Sequence, residues 1–102
     1  MALPAAVLAG GVLEEHMRKL CTRHGIDVVV KDGGSDERPK KASRMNDDLR
    51  KANVYGSNDQ KQVTAWCGIR NSAAHTRVDE FDETQVANML QGVRTFISRF
   101  PA

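Results

Sequence analysis

The chain has 102 residues, 40% of them apolar and 27% charged, which is ordinary for one globular domain spanning residues 1–102. Its 15 basic and 13 acidic residues exclude a strongly basic nucleic-acid coat protein, but not an enzyme that holds RNA at a few phosphates. No apolar run approaches the roughly 20 residues that span a bilayer, and the N-terminus lacks the basic start of a signal peptide. A cytoplasmic protein without membrane contact is therefore expected.

The two cysteines, Cys21 and Cys67, belong to neither a CxxC pair nor a Cys/His cluster with ligand spacing. A metal site is therefore not expected, and no cofactor is indicated. A disulfide stays open, although both residues fall on predicted apolar helix faces, where reduced core cysteines are favoured.

Apolar residues at helical spacing predict the first helix over residues 3–24. Its stripe contains Ala6, Gly10, Leu13, Met17, Leu20 and His24. The small residues Ala9, Gly10 and Gly11 indicate that another helix approaches closely, either within a bundle or across a dimer. Gly25 is expected to end this helix.

The segment 26–30 is short and rich in β-branched residues, and it is the one segment predicted as a strand. Residues 31–41 are rich in glycine, proline and charge, which predicts a polar loop inserted between the first and second helices. Lys40, Lys41 and Arg44 could contact phosphates there, but a solvated loop followed by a helix start is favoured.

The second helix is predicted over residues 42–54. The third is predicted from Asp59 to Arg70 or Asn71, and Asp82 is expected to cap the fourth. The fourth helix has the strongest periodicity in the chain, with a core face of Val86, Met89, Leu90, Val93, Phe96, Ile97 and Phe100. Four helices joined mostly by short links predict an all-α fold, an antiparallel four-helix bundle.

Arg70 stands out because it falls on the apolar face of the third helix, together with Val63, Trp66 and Cys67. A guanidinium keeps its charge, so it needs an anionic partner, a wet crevice or a subunit interface. His75 is the best candidate in the chain for moving a proton near neutral pH. A structural Arg70 that pairs with Glu14 or Glu15 stays open as the alternative.

The stretch Arg70-Asn71-Ser72-Ala73-Ala74-His75 resembles the Arg-(four to six residues)-His motif of the HEPN superfamily. The segment Gly11-Val12-Leu13-Glu14-Glu15-His16-Met17-Arg18-Lys19-Leu20 resembles the first helix of that superfamily, and the later helices follow in the expected order. The resemblance implies a small helical bundle that forms homodimers, with the Arg-His motifs meeting at a shared cleft. Many such domains are metal-independent endoribonucleases of toxin–antitoxin, abortive-infection or antiphage defence systems. Others have lost the activity and serve as binding or dimerisation modules.

On this resemblance, Arg70 and His75 are the catalytic residues, and Asn71 either positions the phosphate or holds the turn of the motif. RNA is the substrate, and an antitoxin or other protein is a further partner. In an unbroken helix, positions 70 and 75 point about 140° apart. The helix must therefore break at Asn71–Ser72, or the two residues must converge across a dimer. Thr76 stands where a small residue such as glycine is expected, which leaves open a catalytically silent HEPN module. An antidote subunit that uses residues 31–41 as its contact is a third alternative.

Overall fold

The computed structural model describes residues 2–31 and 36–102, and this part of the chain contains four helices and a short hairpin. The helices are α1 (Ala2–Arg23), α2 (Ala42–Lys51), α3 (Ser57–Ala74) and α4 (Glu83–Arg99), with a 3-10 turn at Val78–Glu80. The strands are β1 (Val29–Lys31) and β2 (Glu37–Pro39). The mostly helical class and the four predicted helices are confirmed. None of the helices in the described part has the length and apolar character that crossing a membrane requires.

The observed strands differ from the strand predicted over residues 26–30 and the polar loop predicted over residues 31–41. β1 begins only at Val29, and β2 pairs with it antiparallel inside the segment predicted as a loop. Ile26 and Val28, which were expected in the strand, instead pack against the core as partly buried residues. Strands of three residues are too short to show a clear alternation in the sequence. The prediction for residues 32–35 lies outside the described residues.

Helix α1 packs against the other three helices, so its apolar stripe lies at the centre of the molecule. The predicted stripe is confirmed except at its end, where His24 is exposed. The reason is local, since α1 ends at Arg23 and Gly25 turns the chain with a φ of +71°. The main core contains Ala9, Leu13, Met17, Leu20, Cys21, Met45, Leu49, Tyr55, Val63, Trp66, Met89, Val93 and Phe96.

Helix α4 starts as predicted, with a capping box at Asp82. The Asp82 carboxylate accepts a hydrogen bond from the Gln85 backbone N–H at 2.8 Å, and the Gln85 side chain accepts one from the Asp82 N–H at 2.9 Å. The buried face is narrower than predicted, because Leu90 is 38% exposed at the edge of the stripe. The residues of α4 that are buried are Val86, Met89, Val93 and Phe96.

A buried asparagine ties α2 to α3. Tyr55 Oη donates to Asn46 Oδ1 at 2.6 Å, and Asn46 Nδ2 donates to the Gln60 carbonyl at 3.0 Å. The Tyr55 ring packs edge-on against Phe96, which connects this network to the aromatic part of the core. Asn53 takes a left-handed φ of 59°, so α2 ends at Lys51, earlier than predicted.

Candidate functional site

Arg70 lies on α3 where that helix crosses α1, and a glycine makes room for it. A Cβ placed on Gly10 would lie 2.1 Å from Arg70 Cγ and 2.7 Å from Arg70 Cβ, far inside contact distance. The aliphatic part of Arg70 therefore occupies the space that a side chain at position 10 would need. The close helix approach predicted from the small residues of α1 occurs within the chain at this point.

The guanidinium of Arg70 pairs with Glu14 of α1. Arg70 Nη1 donates to Glu14 Oε1 at 3.0 Å, and the two side chains are 33% and 30% exposed. Glu14 Oε2 also lies 3.5 Å from Arg18 Nη2, so one carboxylate serves two cations. Among the described residues, Nη1 is the one guanidinium nitrogen of Arg70 with a hydrogen-bond partner, so Nε and Nη2 keep free donors.

A groove of about 180 Å³ opens between α1, the start of α2 and α3, and we call it the Arg70 groove. It brings together two of the predicted site residues, Arg70 and Asn71. The residues with functional groups that line it are Glu14, Lys41, Ser43, Cys67, Arg70 and Asn71. The resulting wall combines cationic, amide and hydroxyl donors with one carboxylate, a combination suited to an anionic ligand.

His75 does not line the Arg70 groove. Helix α3 continues without a break through Asn71 and Ser72 to Ala74, and the His75 N–H still donates to the Asn71 carbonyl at 3.1 Å. The predicted end of this helix at Arg70 or Asn71 is therefore wrong, because the i to i−4 hydrogen bonds persist through this turn. Of the two alternatives for bringing Arg70 and His75 together, the break at Asn71–Ser72 does not occur, and convergence across a dimer stays a prediction. His75 is an exposed residue at the helix end, pointing about 140° away from Arg70 along an ideal helix.

The chain leaves α3 through a left-handed turn at Thr76. Its φ is 58°, its N–H donates to Ala73, and the Arg77 N–H donates to the Ser72 carbonyl at 2.8 Å. This is a Schellman ending, in which glycine is the usual residue at the left-handed position. A small residue such as glycine is expected at position 76 from the sequence, and the left-handed backbone of this turn gives the physical reason for that preference. Ser72 Oγ also donates to Glu80 at 2.6 Å, which fixes the segment after His75.

The thiol of Cys67 lines the same groove as Arg70. Burial raises its pKa, with the positive charge of Arg70 opposing the increase and the negative charge of Glu14 adding to it. Cys21 is fully buried, and both cysteines are free thiols. No group of three or more histidine, cysteine or acidic side chains that could hold a metal ion occurs among the described residues.

The two lysines at the end of the hairpin have different environments, which the sequence did not distinguish. Lys40 is 8% exposed, and its Nζ lies 2.8 Å from Asp48 Oδ2. Lys41 is exposed at the N-cap of α2, and its side chain has no hydrogen bond or ion pair with any described residue. Lys41 was considered from the sequence as a phosphate contact, but a solvated loop was favoured, and the structure places it in the lining of the Arg70 groove. Ser43 also lines this groove and was not identified from the sequence, where its position in the basic run 40–44 was the only signal.

An exposed apolar surface lies on the side of α1 away from the Arg70 groove. Leu8 is 69% exposed and Val12 is 52% exposed, although both are large apolar residues. They line a second groove of about 600 Å³ together with Val7 and Arg70. We call Val7, Leu8 and Val12 the α1 apolar face. Because Arg70 also lines this second groove, a molecule bound there would contact Arg70.

Comparison with known proteins returned no matching family model, no matching characterised protein and no matching solved structure.

Proposed function

We propose that this protein is a metal-independent endoribonuclease with a HEPN-like antiparallel helical bundle, acting in a toxin–antitoxin or antiphage defence system. The observation that carries the proposal is the Arg70 groove, which Arg70 and Asn71 line together and where two guanidinium nitrogens of Arg70 have no hydrogen-bond partner among the described residues. His75 follows at the end of the same helix, at the spacing of the HEPN motif. The order and number of the helices are consistent with that resemblance.

The chemistry needs no cofactor. The RNA 2′-hydroxyl attacks the adjacent phosphorus, its proton passes to a base, and the 5′-oxygen leaves with a proton from an acid. His75 is the group that exchanges protons near neutral pH, and Arg70 neutralises the charge that develops on the phosphate oxygens. The products would be a 2′,3′-cyclic phosphate and a free 5′-hydroxyl.

Glu14 orients Arg70 in this scheme. It binds only Nη1 of the guanidinium, so the remaining N–H groups can donate to a phosphate oxygen. Because Glu14 also contacts Arg18, its charge is divided between two cations. The Glu14–Arg70 pair was the structural alternative for Arg70, and here it serves to position the catalytic residue.

A second copy of the chain is needed to complete the site. Arg70 and His75 of one chain diverge along an unbroken helix, so one chain cannot easily present both to one phosphate. A two-fold dimer would bring two copies of each residue around one cleft. The α1 apolar face supports this dimer, because its exposed Leu8 and Val12 line the second groove, of about 600 Å³, which Arg70 also lines.

The alternative is a catalytically silent HEPN module that binds a nucleotide, RNA or partner protein through the same groove. The specific observation in its favour is the Arg70–Glu14 ion pair, which satisfies Arg70 without any substrate. In that case, Arg70→Ala and His75→Ala would weaken binding, and no cleavage would be lost because none occurs.

The cleavage test uses purified protein and RNA in excess EDTA, with analysis of the 3′ ends. We expect wild type to produce 2′,3′-cyclic phosphate ends, and His75→Ala to be slower by about 100-fold or more. His24→Ala is the matched control, since His24 is also an exposed histidine just after a helix. Equal cleavage by wild type and His75→Ala would remove the nuclease proposal, and absence of cleavage with retained RNA binding would favour the silent module.

The dimer test replaces Leu8 and Val12 together with glutamate. Both side chains are exposed, so the single chain should fold normally while the apolar face becomes charged. We expect sedimentation to shift from dimer to monomer and cleavage to be lost together. Full cleavage by a monomeric variant would show that one chain carries the whole site.

A further inference from the structure

Basic charge is concentrated in one short segment of this chain. Residues 37–44 contain four basic residues and one acidic residue, a net charge of +3. The remaining 94 residues contain 11 basic and 12 acidic residues and are therefore slightly acidic. A small net charge for the whole chain thus conceals a local cationic surface.

The fold turns most of this charge outward on one side. Lys40 is buried against Asp48, whereas Arg38, Lys41 and Arg44 are exposed. Arg44 is 59% exposed in its side chain, and its 3.4 Å contact with Asp48 is longer than the 2.8 Å contact between Lys40 and Asp48. Lys41 has no partner among the described residues, so its charge is available to a ligand.

These residues line a groove of about 440 Å³ beside the hairpin, which we call the hairpin groove. Its polar lining residues are Arg38, Lys41, Ser43 and Arg44. Lys41 and Ser43 also line the Arg70 groove, so the two grooves meet at this pair of residues. A continuous surface therefore leads from Arg70 and Asn71, across Lys41 and Ser43, to Arg44.

We propose that this surface binds the sugar-phosphate backbone of single-stranded RNA next to the cleavage site, with Lys41 and Arg44 each contacting a phosphate. The proposal rests on the proposed ribonuclease function and names the path that its substrate takes. Lys41 lines the Arg70 groove together with Arg70 and also lines the hairpin groove, so it holds the phosphate nearest to the scissile one. Contacts of this kind carry affinity and position, and they do not read the base sequence. An unpaired chain fits because it is flexible enough to follow a surface that passes from one groove to the other.

The test compares two double variants with the same change in charge. Lys41→Gln with Arg44→Gln removes the proposed contacts, and Lys51→Gln with Lys61→Gln removes two exposed lysines on α2 and α3 outside both grooves. Lys41→Gln alone is added because Arg44 also touches Asp48, whereas Lys41 has no partner to lose.

Binding is measured by fluorescence anisotropy with a 12-nucleotide RNA carrying a 2′-O-methyl group at every ribose, over a series of salt concentrations. Methylation blocks the internal nucleophile, so binding is observed without cleavage. Each phosphate contact contributes about 0.7 to the slope of log affinity against log salt for a single strand. We expect the slope to fall by about 1.4 in the Lys41/Arg44 variant and the Kd to rise about 2- to 30-fold at moderate salt. The Lys51/Lys61 variant should keep the wild-type slope.

A parallel measurement of kcat and KM on unmodified RNA separates this inference from the proposed function. We expect the Lys41/Arg44 variant to raise KM and leave kcat close to wild type. If wild type binds the RNA through Lys41 and Arg44 but does not cleave it, the proposed RNA path is supported. Only the proposed nuclease activity is then refuted. Normal cleavage with equal KM and equal salt slopes in both double variants would remove only the path. If wild type does not bind the RNA, the proposed RNA path is overturned. The same holds if wild type binds only an acidic protein.

Discussion

The contact between Gly10 and Arg70 leads to a quantitative prediction about one methyl group. Gly10→Ala places a Cβ 2.1 Å from Arg70 Cγ and 2.7 Å from Arg70 Cβ. Rotation of the Arg70 side chain can relieve the first contact, but Arg70 Cβ is fixed to the α3 backbone, so α1 and α3 must separate. Overpacking of this kind costs about 1–3 kcal/mol.

Gly11→Ala is the matched control. Gly11 lies in the same helix, and a Cβ there would have no neighbour within 4 Å. Both substitutions gain about 1 kcal/mol of helix propensity, so their difference isolates the steric cost at position 10. We expect Gly11→Ala to be more stable than wild type by about 0.5–1 kcal/mol. Gly10→Ala should be less stable than Gly11→Ala by about 1–3 kcal/mol.

Urea denaturation followed by circular dichroism measures this difference, and each kcal/mol should also change Tm by about 4–8 °C for a domain of this size. In an Arg70→Ala background, the penalty of Gly10→Ala should decrease but not vanish, because the Cβ at position 70 remains. Equal stability of Gly10→Ala and Gly11→Ala would refute the close crossing of α1 and α3 at Arg70. It would also remove the basis for the Arg70 groove as described.

Three further predictions concern the helix end, the acid range and the thiols. Thr76→Gly should raise the free energy of unfolding by about 0.5–1 kcal/mol in urea denaturation. The reason is that glycine relieves the strain of the left-handed backbone by more than it adds conformational freedom to the unfolded chain. A loss of stability would contradict the turn at φ 58°. Burial raises the pKa of Asp48, but the Lys40 hydrogen bond and charge together with Arg44 outweigh it and lower the pKa below its usual 3.8. The stabilising effect of this ionised carboxylate is therefore present above pH 3.8 and is lost as pH falls through the folded-state pKa. The free energy of unfolding should therefore decrease more steeply below about pH 4 in wild type than in Asp48→Asn, and parallel pH profiles would contradict the pair. Burial raises the pKa of Cys67, so iodoacetamide at pH 8 should alkylate Cys67 more slowly than it alkylates the free thiol of glutathione. The fully buried Cys21 should react more slowly still, and rapid labelling of Cys21 would contradict its place in the core.

Local patterns determined most of the secondary structure. The spacing of apolar residues defined α1 and α4, and Asp82 with Gln85 marked the start of α4 three residues apart in the sequence. Trp66, Met17 and Met89 lie on the predicted apolar helix faces and are buried in the core. Periodicity and capping depend on neighbours within one or two turns, so a single sequence contains the information needed to recognise them.

The boundaries that were predicted wrongly depend on contacts from elsewhere. The three-residue ladder between β1 and β2 leaves too weak a pattern to detect before the chain folds. Helix α3 was expected to end at Arg70 or Asn71, but it continues to Ala74 and ends in a turn tied to Glu80. Leu90 has the right spacing for the core, yet α4 presents it at the edge of its buried face.

The sequence by itself identified Arg70 as unusual on an apolar helix face and His75 as the candidate for proton transfer, and it identified the four helices. Asn71 was singled out only by the resemblance of the surrounding motif. Only the tertiary structure decided that Arg70 pairs with Glu14, 56 residues away, and rests on Gly10. It also decided that Lys40 is buried against Asp48 while its neighbour Lys41 faces the groove. The physical reason is that ion pairs and close helix crossings are set by distances between segments far apart in the chain, whereas a sequence pattern records only which residue types are available to form them.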